Sequence, residues 1–274
     1  MAIKTRILVV SDTHGRVFDV KEAHKADVVI HCEKASGRTW SPNRRRSSLG
    51  PLGEPRRLID QAKGAGIVFL DEVNYEFTLQ NGACLRVYAS PWTPAAFLGR
   101  AFQYPEDEGH EFAIADAAQA VMTHGPPGGI FDYTDWNTRA GCPLLFGAVA
   151  RARPLIHCFG HIHEAWGCKL VKWKDDTSSR RRSPRLHQFS NIDTEKSVVI
   201  EKLPNLLRGE DDDAESAKAK TEKIERYSRQ GFCSTSHCHD DANTLVPGSH
   251  TLFVNASYDG SDSGPAGVLD SQWP

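Results

Sequence analysis

The sequence has no apolar run that could cross a bilayer. Its longest, such as Ile7–Val10, reach four residues, against the ~20 a membrane helix needs. That run is also too short for the apolar part of a signal peptide, and no small-residue cleavage pattern follows it. An excess of one charge is missing too: 33 Lys and Arg against 35 Asp and Glu leave a net charge of -2. A basic nucleic-acid binder is therefore not indicated globally. Cysteine follows no pairing pattern. The seven cysteines (Cys32, Cys84, Cys142, Cys158, Cys168, Cys233 and Cys238) are odd in number and scattered, which argues for reduced thiols in a cytoplasmic protein rather than a disulfide framework. No internal repeat is present.

What remains is a chain of 274 residues, 39% hydrophobic and 25% charged. The length suits one large α/β domain with tails, and the polarity predicts a disordered portion. Twelve histidines are more than such a chain ordinarily needs.

Ile7–Val10, closed by Ser11-Asp12, reads as a buried strand, and Val28–Cys32 as a second. A short helical stretch around Val17–His24 between them predicts a parallel βαβ start. Residues 33–53 carry Arg44–Arg46, several Ser, Gly and Pro, and no apolar period, so they read as an aberrant loop. Order resumes with a helix over 57–65. Strands follow at Ile67–Leu70, Tyr75–Leu79 and Cys84–Ala89, the last two joined by the hairpin signal Asn81-Gly82. After an irregular aromatic stretch, 90–112, come a strand at Ala120–Met122, a helix at Cys142–Arg151 stopped before Pro154, and a strand at Leu155–Phe159. Three more strands are predicted at Leu170–Lys174, Val198–Lys202 and Leu252–Asn255. The domain reading is therefore 1–203, with a charged low-complexity insertion over 204–248, a returning core strand over 249–258 and a disordered tail over 259–274.

Polar clusters fall at strand ends: Asp12-Thr13-His14, His124, His161-Ile162-His163 and Asn255. In an open α/β sheet, ligands bind beyond the carboxyl ends of strands. A carboxylate with several imidazoles suits Mn, Fe, Zn or a related divalent ion. Gly15, Gly125 and Gly160 allow tight turns beside these groups. Singly, each cluster has a plain explanation; Asp12, for instance, could cap the next segment. Their joint order at strand ends favours a site. His157, in mid-strand, reads as a core histidine and is left out. Cys233, His237, Cys238 and His239 lack a zinc-ligand spacing and read as a loop with incidental thiols. Arg44–Arg46, Arg180–Arg182 and Asp211–Asp213 read as solvated runs.

Several runs carry a more specific likeness: Val10-Ser11-Asp12-Thr13-His14-Gly15, Ser90-Pro91-Trp92-Thr93-Pro94, Phe102-Gln103-Tyr104-Pro105, Thr123-His124-Gly125-Pro126-Pro127, Cys158 to Glu164 and Leu252 to Ser257. On these the chain resembles the calcineurin-like metallophosphoesterase superfamily, and within it the small subgroup of brain-239-type and fungal metallophosphoesterase-domain proteins. The resemblance implies an α/β fold: a two-sheet β-sandwich flanked by helices in four layers, with a dinuclear site on one edge. It implies that Asp12, His14 and His163 hold one metal and that His124 and His161 hold the other. It further implies a hydrolase of small phosphomonoesters or phosphodiesters, acting by in-line attack of a metal-bound hydroxide. No membrane or nucleic-acid partner is expected. Oligomeric state and catalytic acid or base stay unassigned.

The family's Gly-Asp motif after the second strand and its Gly-Asn-His motif are both missing. Glu33-Lys34 stands where Gly-Asp is expected, and Asn74 lacks the right neighbours and reads as a strand-edge residue. The fold expectation therefore includes the loss of a central segment at 33–53. An alternative reading follows: a catalytically impaired or inactive relative, degenerate or mis-spliced, with partial metal binding.

Overall fold

The computed structural model describes residues 3–13, 26–33, 63, 64, 66–95, 102–175, 187–230 and 232–257. The helix around Val17–His24, nearly all of the 33–53 loop, the helix over 57–65 apart from Lys63 and Gly64, the tail over 259–274, Gly15 and Arg180–Arg182 lie outside the described residues.

The first two strands, β1 (Ile7–Val10) and β2 (Val28–His31), pair in parallel from Ile7 against Val28 to Val10 against His31, as the βαβ reading expects. The next elements are β3 (Asn74–Thr78), β4 (Cys84–Ser90), β5 (Thr93–Ala95), β6 (Gln103–Pro105) and β7 (Ala120–Thr123). They are followed by α1 (Pro143–Ala152), β8 (Ile156–Phe159), β9 (Gly167–Trp173) and α2 (Gln188–Asn191). The described chain closes with β10 (Ile192–Lys202), α3 (Ala214–Gln230) and β11 (His250–Asn255). Seven strands form one mixed sheet in the order β10-β9-β11-β8-β7-β4-β3, and β5 pairs with β6 apart from it. Within the large sheet β4, β7, β8 and β11 run parallel. Their carboxyl ends therefore share one edge, and this positions the site. A bridge between Ser11 and Ser257 brings the end of β1 to that same edge.

Alternation along the strands divides the core. Leu252 and Val254 of β11 face one side, where they join Ile7, Val9 and Ile30 of the small sheet. Phe253 faces the other side, with Val121, Phe159, Trp173 and the α1 residues Leu145, Phe146 and Val149. This period of two is what a strand covered on both faces requires. Among the described residues the architecture is mixed α/β, with one large mixed sheet and few helices.

Local chemistry explains the boundaries. Cys142 caps α1 with its Sγ, which accepts the Leu145 N–H at 3.2 Å, and Pro143 fills the first helical position. The helix stops at Arg153, in the left-handed region at φ 47, one residue before Pro154. The β3–β4 hairpin turns at Asn81-Gly82 with Gly82 at φ 87. Asn74 is the first residue of β3, and its amide group is bonded to Ala113 and Ala115.

The charged 204–248 stretch holds a capped helix: Asp213 Oδ1 accepts the Ser216 N–H at 2.8 Å. α3 is largely exposed, but Tyr227 is buried among Trp166, Leu206 and Cys233 and donates to Glu201 Oε2 at 2.9 Å. Lys223 Nζ lies 2.6 Å from the same carboxylate oxygen. No helix among the described residues is long and apolar enough to cross a membrane.

Two strand expectations need correction. Ile67–Leu70 forms no strand; Ile67, Val68 and Phe69 are 54%, 53% and 53% exposed. Its β-branched residues favour a strand, but no described strand pairs with it, and β-propensity without a partner is weak. β2 is a strand but not a buried one. Of its four residues only Ile30 is buried.

Candidate metal centre

Asp12 follows β1 and is 3% exposed. Its Oδ2 accepts two hydrogen bonds, from Ser11 Oγ at 2.6 Å and from the His161 N–H at 2.7 Å. Both Asp12, at φ 53, and His161, at φ 74, are non-glycine residues in the left-handed region. That conformation costs about 1 kcal/mol or more per residue. Here the two strained residues are tied to each other, so the turns after β1 and β8 are held as one unit.

Gly160 makes this contact feasible. A Cβ on it would fall 2.0 Å from Ser11 Oγ and 2.2 Å from Asp12 Oδ2. Gly125 is less constrained, with Thr93 Cγ2 at 3.1 Å from such an atom. Asn255 and Ser257 brace the same turn from β11. Asn255 Nδ2 donates to the Ile162 carbonyl at 2.9 Å, and Ser257 Oγ lies 3.0 Å from that oxygen. Asn255 is therefore a brace for the Gly-His-x-His turn, a role that its strand-end position alone does not disclose.

His124 follows β7 and is buried, with its Nδ1 3.1 Å from the Cys32 carbonyl. A carbonyl only accepts, so Nδ1 carries a proton, and in the neutral ring the lone pair is then on Nε2. That is the tautomer of an imidazole oriented for a metal. The rings of His124 and His161 are 4.7 Å apart, centre to centre. The structure thus brings together Asp12, His124 and His161. His163 begins the helical turn His163–Ala165, half-buried. His14 lies outside the described residues.

Three further groups shape this edge. Ser11 orients Asp12. The Cys32 carbonyl orients His124 and also accepts from Ser11 Oγ at 3.2 Å. The Glu33 carboxylate accepts the Thr13 hydroxyl at 2.7 Å and sits 3.1 Å from His31 Nε2. Burial first, then the neighbouring Cys158 and Asp12, push the Cys32 thiol well above its usual range. The thiol stays protonated, so it is the carbonyl of Cys32 that serves the site.

His157, left out on its mid-strand position, is fully buried and holds Thr123 Oγ1 at 2.9 Å. Burial lowers its pKa to about 3, so it is neutral. In the Cys233–His239 segment, the His237 ring lies against the Asn243 carbonyl at 2.6 Å and Thr235 Oγ1 at 3.1 Å. This is loop chemistry rather than a zinc site.

One carboxylate and two imidazoles are donor types that a borderline divalent ion takes, but the side chains of Asp12, His124 and His161 are not grouped as a site for one. Among the described residues, Glu33 is the further carboxylate near this edge, with its Oε2 bonded to Thr13 and 3.1 Å from His31 Nε2. Among the described residues, no three His, Cys, Asp or Glu side chains are grouped closely enough to hold an ion.

Comparison with known proteins supplies an independent line. No protein-family model matches the chain. It is 38% identical to metallophosphoesterase domain-containing protein 1 of Homo sapiens over 203 residues, covering 60% of this chain and 62% of that one. The Mus musculus protein of the same name matches equally. A protein named "Probable rhamnogalacturonate lyase C" from Emericella nidulans is 34% identical over 110 residues, 39% of this chain and 10% of that one. A UPF0046 protein of Caenorhabditis elegans is 36% identical over 90 residues, 31% of this chain and 22% of that one. The chain thus spans less than two thirds of the length of each of these relatives. The 203 positions matched to the human protein take up 60% of 274 residues, about 164, so about 40 of them have no counterpart here. Over part of its length the chain is thus similar to proteins named for a metallophosphoesterase domain.

Proposed function

We propose that the chain is a phosphoesterase-like hydrolase of phosphomonoesters or phosphodiesters, with its centre at the ends of β1, β7 and β8. The observation that supports this reading is the placement at adjoining strand ends of one buried carboxylate and two neighbouring imidazoles, with the Asp12 carboxylate bonded to the His161 backbone N–H. In this reading Asp12, His124 and His161, with His14 and His163, hold divalent metal, either Mn, Fe or Zn. When bound, such an ion supplies Lewis acidity that activates water and offsets charge on the phosphoryl oxygens.

The chain's own residues set the geometry. Ser11 and the His161 N–H fix one Asp12 oxygen, and the Cys32 carbonyl fixes the His124 ring. His161 is exposed and His124 buried. A small phosphate ester would therefore approach from the His161 side, while His124 is held from behind. The four-layer sandwich, a cytoplasmic location and a small phosphate-ester substrate without nucleic-acid or membrane partners belong to the same proposal.

The test is hydrolysis of bis(para-nitrophenyl) phosphate in Mn(II), comparing the wild-type chain with His161→Ala and with fold monitored by circular dichroism. Misplacing a reacting group by ~1 Å costs ~10²-fold, so the variant should lose at least about that factor while keeping its fold. Equal rates in the two proteins would overturn the reading.

A further inference from the structure

Resting on the phosphoesterase reading, we propose that His157 is a positioning residue for His124. Its ring N–H sets the Thr123 hydroxyl, and that hydroxyl closes the turn in which His124 stands. An imidazole that reads as core from its mid-strand place is then part of the support of the centre.

The sense of each hydrogen bond follows from the number of protons available. Thr123 Oγ1 donates to the Gly125 carbonyl at 2.8 Å. A hydroxyl has one proton, and a carbonyl has none to give. The 2.9 Å contact between Thr123 Oγ1 and His157 Nε2 therefore has the ring as donor. His157 is the Nε2–H tautomer, kept neutral by its burial. The relay runs one way, from His157 to Thr123 to Gly125, with His124 between the last two.

Strand register makes the relay possible. In the parallel β7–β8 pair, Val121 lies opposite His157. Thr123 is two residues further along β7, so its side chain falls on the same face as His157. Threonine is β-branched and stiff about its first torsion, so the strand fixes where its oxygen sits. What remains free is the direction of the O–H. With the ring N–H occupying the lone pair on the His157 side, the proton is directed to the Gly125 carbonyl, a local side-chain-to-backbone bond across two residues.

Packing alone does not account for an imidazole here. The ring is fully buried, with the Phe159 and Phe253 rings 5.1 and 5.6 Å away, centre to centre. Its Nδ1 is buried as well and meets no donor among the described residues. A buried acceptor left unpaired costs stability, whereas an apolar side chain of the same shape fills such a space without that cost. What the imidazole adds over leucine or phenylalanine is an N–H aimed at Thr123.

The rest of the turn is tied to the centre. The His124 carbonyl accepts the Gly160 N–H at 3.0 Å, and its Nδ1–H donates to the Cys32 carbonyl at 3.1 Å. Gly160 immediately precedes His161. β8 and the turn after it therefore hold His124 twice, through Gly160 and through His157, and present His161 beside it with the two rings 4.7 Å apart.

The experiment uses the full-length chain and four variants. His157→Leu removes the N–H, and Thr123→Val removes the hydroxyl. His157→Gln keeps an N–H near the place of Nε2. Val121→Ala, at the buried register partner of His157, is a lesion in packing alone. Two-bond proton–nitrogen NMR spectra of the histidine rings are recorded near neutral pH without metal. Mn(II) affinity is measured by calorimetric titration, and stability by urea midpoint. In the wild type His157 should be the Nε2–H tautomer and His124 the Nδ1–H tautomer. His157→Leu and Thr123→Val should show mixed tautomers at His124 and bind Mn(II) at least about tenfold more weakly, the loss expected for a group that orients a metal-binding imidazole. His157→Gln should recover most of that affinity. Val121→Ala should lower the urea midpoint and leave tautomer and affinity unchanged. If His157→Leu does not fold, Thr123→Val decides. An Nδ1–H tautomer for His157 in the wild type, or an unchanged His124 in folded Thr123→Val, would overturn the proposal while leaving the phosphoesterase reading intact. So would a loss of affinity in Val121→Ala as large as that in Thr123→Val. Absence of Mn(II) binding in every protein would overturn the phosphoesterase reading, and the metal-free spectra would still decide whether His157 positions His124.

Discussion

The two flanks of the candidate centre are built differently. On the β8–β11 flank, the turn carrying His161 is held by Asp12, Asn255 and Ser257, and Gly160 packs directly on Ser11 and Asp12. On the β2 flank, Glu33 binds local neighbours and Val29 is 60% exposed. On the first flank the turn carrying His161 is tied to residues after β1 and at the end of β11. The second has a four-residue strand that, among the described residues, pairs only with β1. A ligand set distributed over several strand ends is only as complete as its least supported strand, and here that strand is β2.

Three tests can break or sharpen this contrast. The largest effect belongs to Gly160→Val. Its Cβ would overlap Ser11 Oγ at 2.0 Å and Asp12 Oδ2 at 2.2 Å, atoms on short side chains fixed to a strand end. Overpacking of this kind costs about 3 kcal/mol, visible as a lowered urea midpoint. A variant as stable as the wild type would mean that the two turns are not in contact.

The next effect compares neighbouring strands. Val9 is fully buried, so Val9→Ala should cost about 2 kcal/mol. Val29→Ala, at an exposed position, should stay within about 0.5 kcal/mol. Equal losses for the two variants would show that β2 is covered in solution.

The smallest effect is a pH dependence on the well-built flank. Burial lowers the folded pKa of His157 to about 3 from its ordinary value of 6.5. Between those values the unfolded chain binds a proton that the folded chain does not. The contribution of His157 is therefore complete above pH 6.5 and declines as pH falls toward 3, by about 1.4 kcal/mol per unit. Urea midpoints at pH 6.5 and 5.5 should differ accordingly in the wild type, and the part due to His157 should vanish in His157→Leu.

The legible parts of the sequence were those where local chemistry and tertiary environment agree. Asn81-Gly82 forms its hairpin, Cys142-Pro143 starts α1, and Arg153-Pro154 ends it. Asp12, His124 and His161 were readable as strand-end polar groups because a parallel sheet delivers all such ends to one edge. Ile67–Leu70 was misread because propensity states what a segment prefers, while a strand also needs a neighbour. β2 was read as buried because Val28-Val29-Ile30 gives no sign that its cover ends at β1. Ser11, the Cys32 carbonyl and Asn255 could not be assigned roles beforehand. A serine, a backbone oxygen and a strand-end amide acquire meaning only once residues distant in sequence are placed beside them. The docking of α3 through Glu201, Lys223 and Tyr227 was hidden likewise, since each of these looks like an ordinary surface residue in sequence.

The central claim is that Asp12, His124 and His161 form one cation site. Calorimetric titration of Mn(II) into the full chain at neutral pH, with Asp12→Asn and His124→Ala alongside, tests it most directly. The account predicts binding in the wild type that weakens at least tenfold in each variant, with the circular dichroism spectrum unchanged. Unaltered affinity in both variants would contradict it.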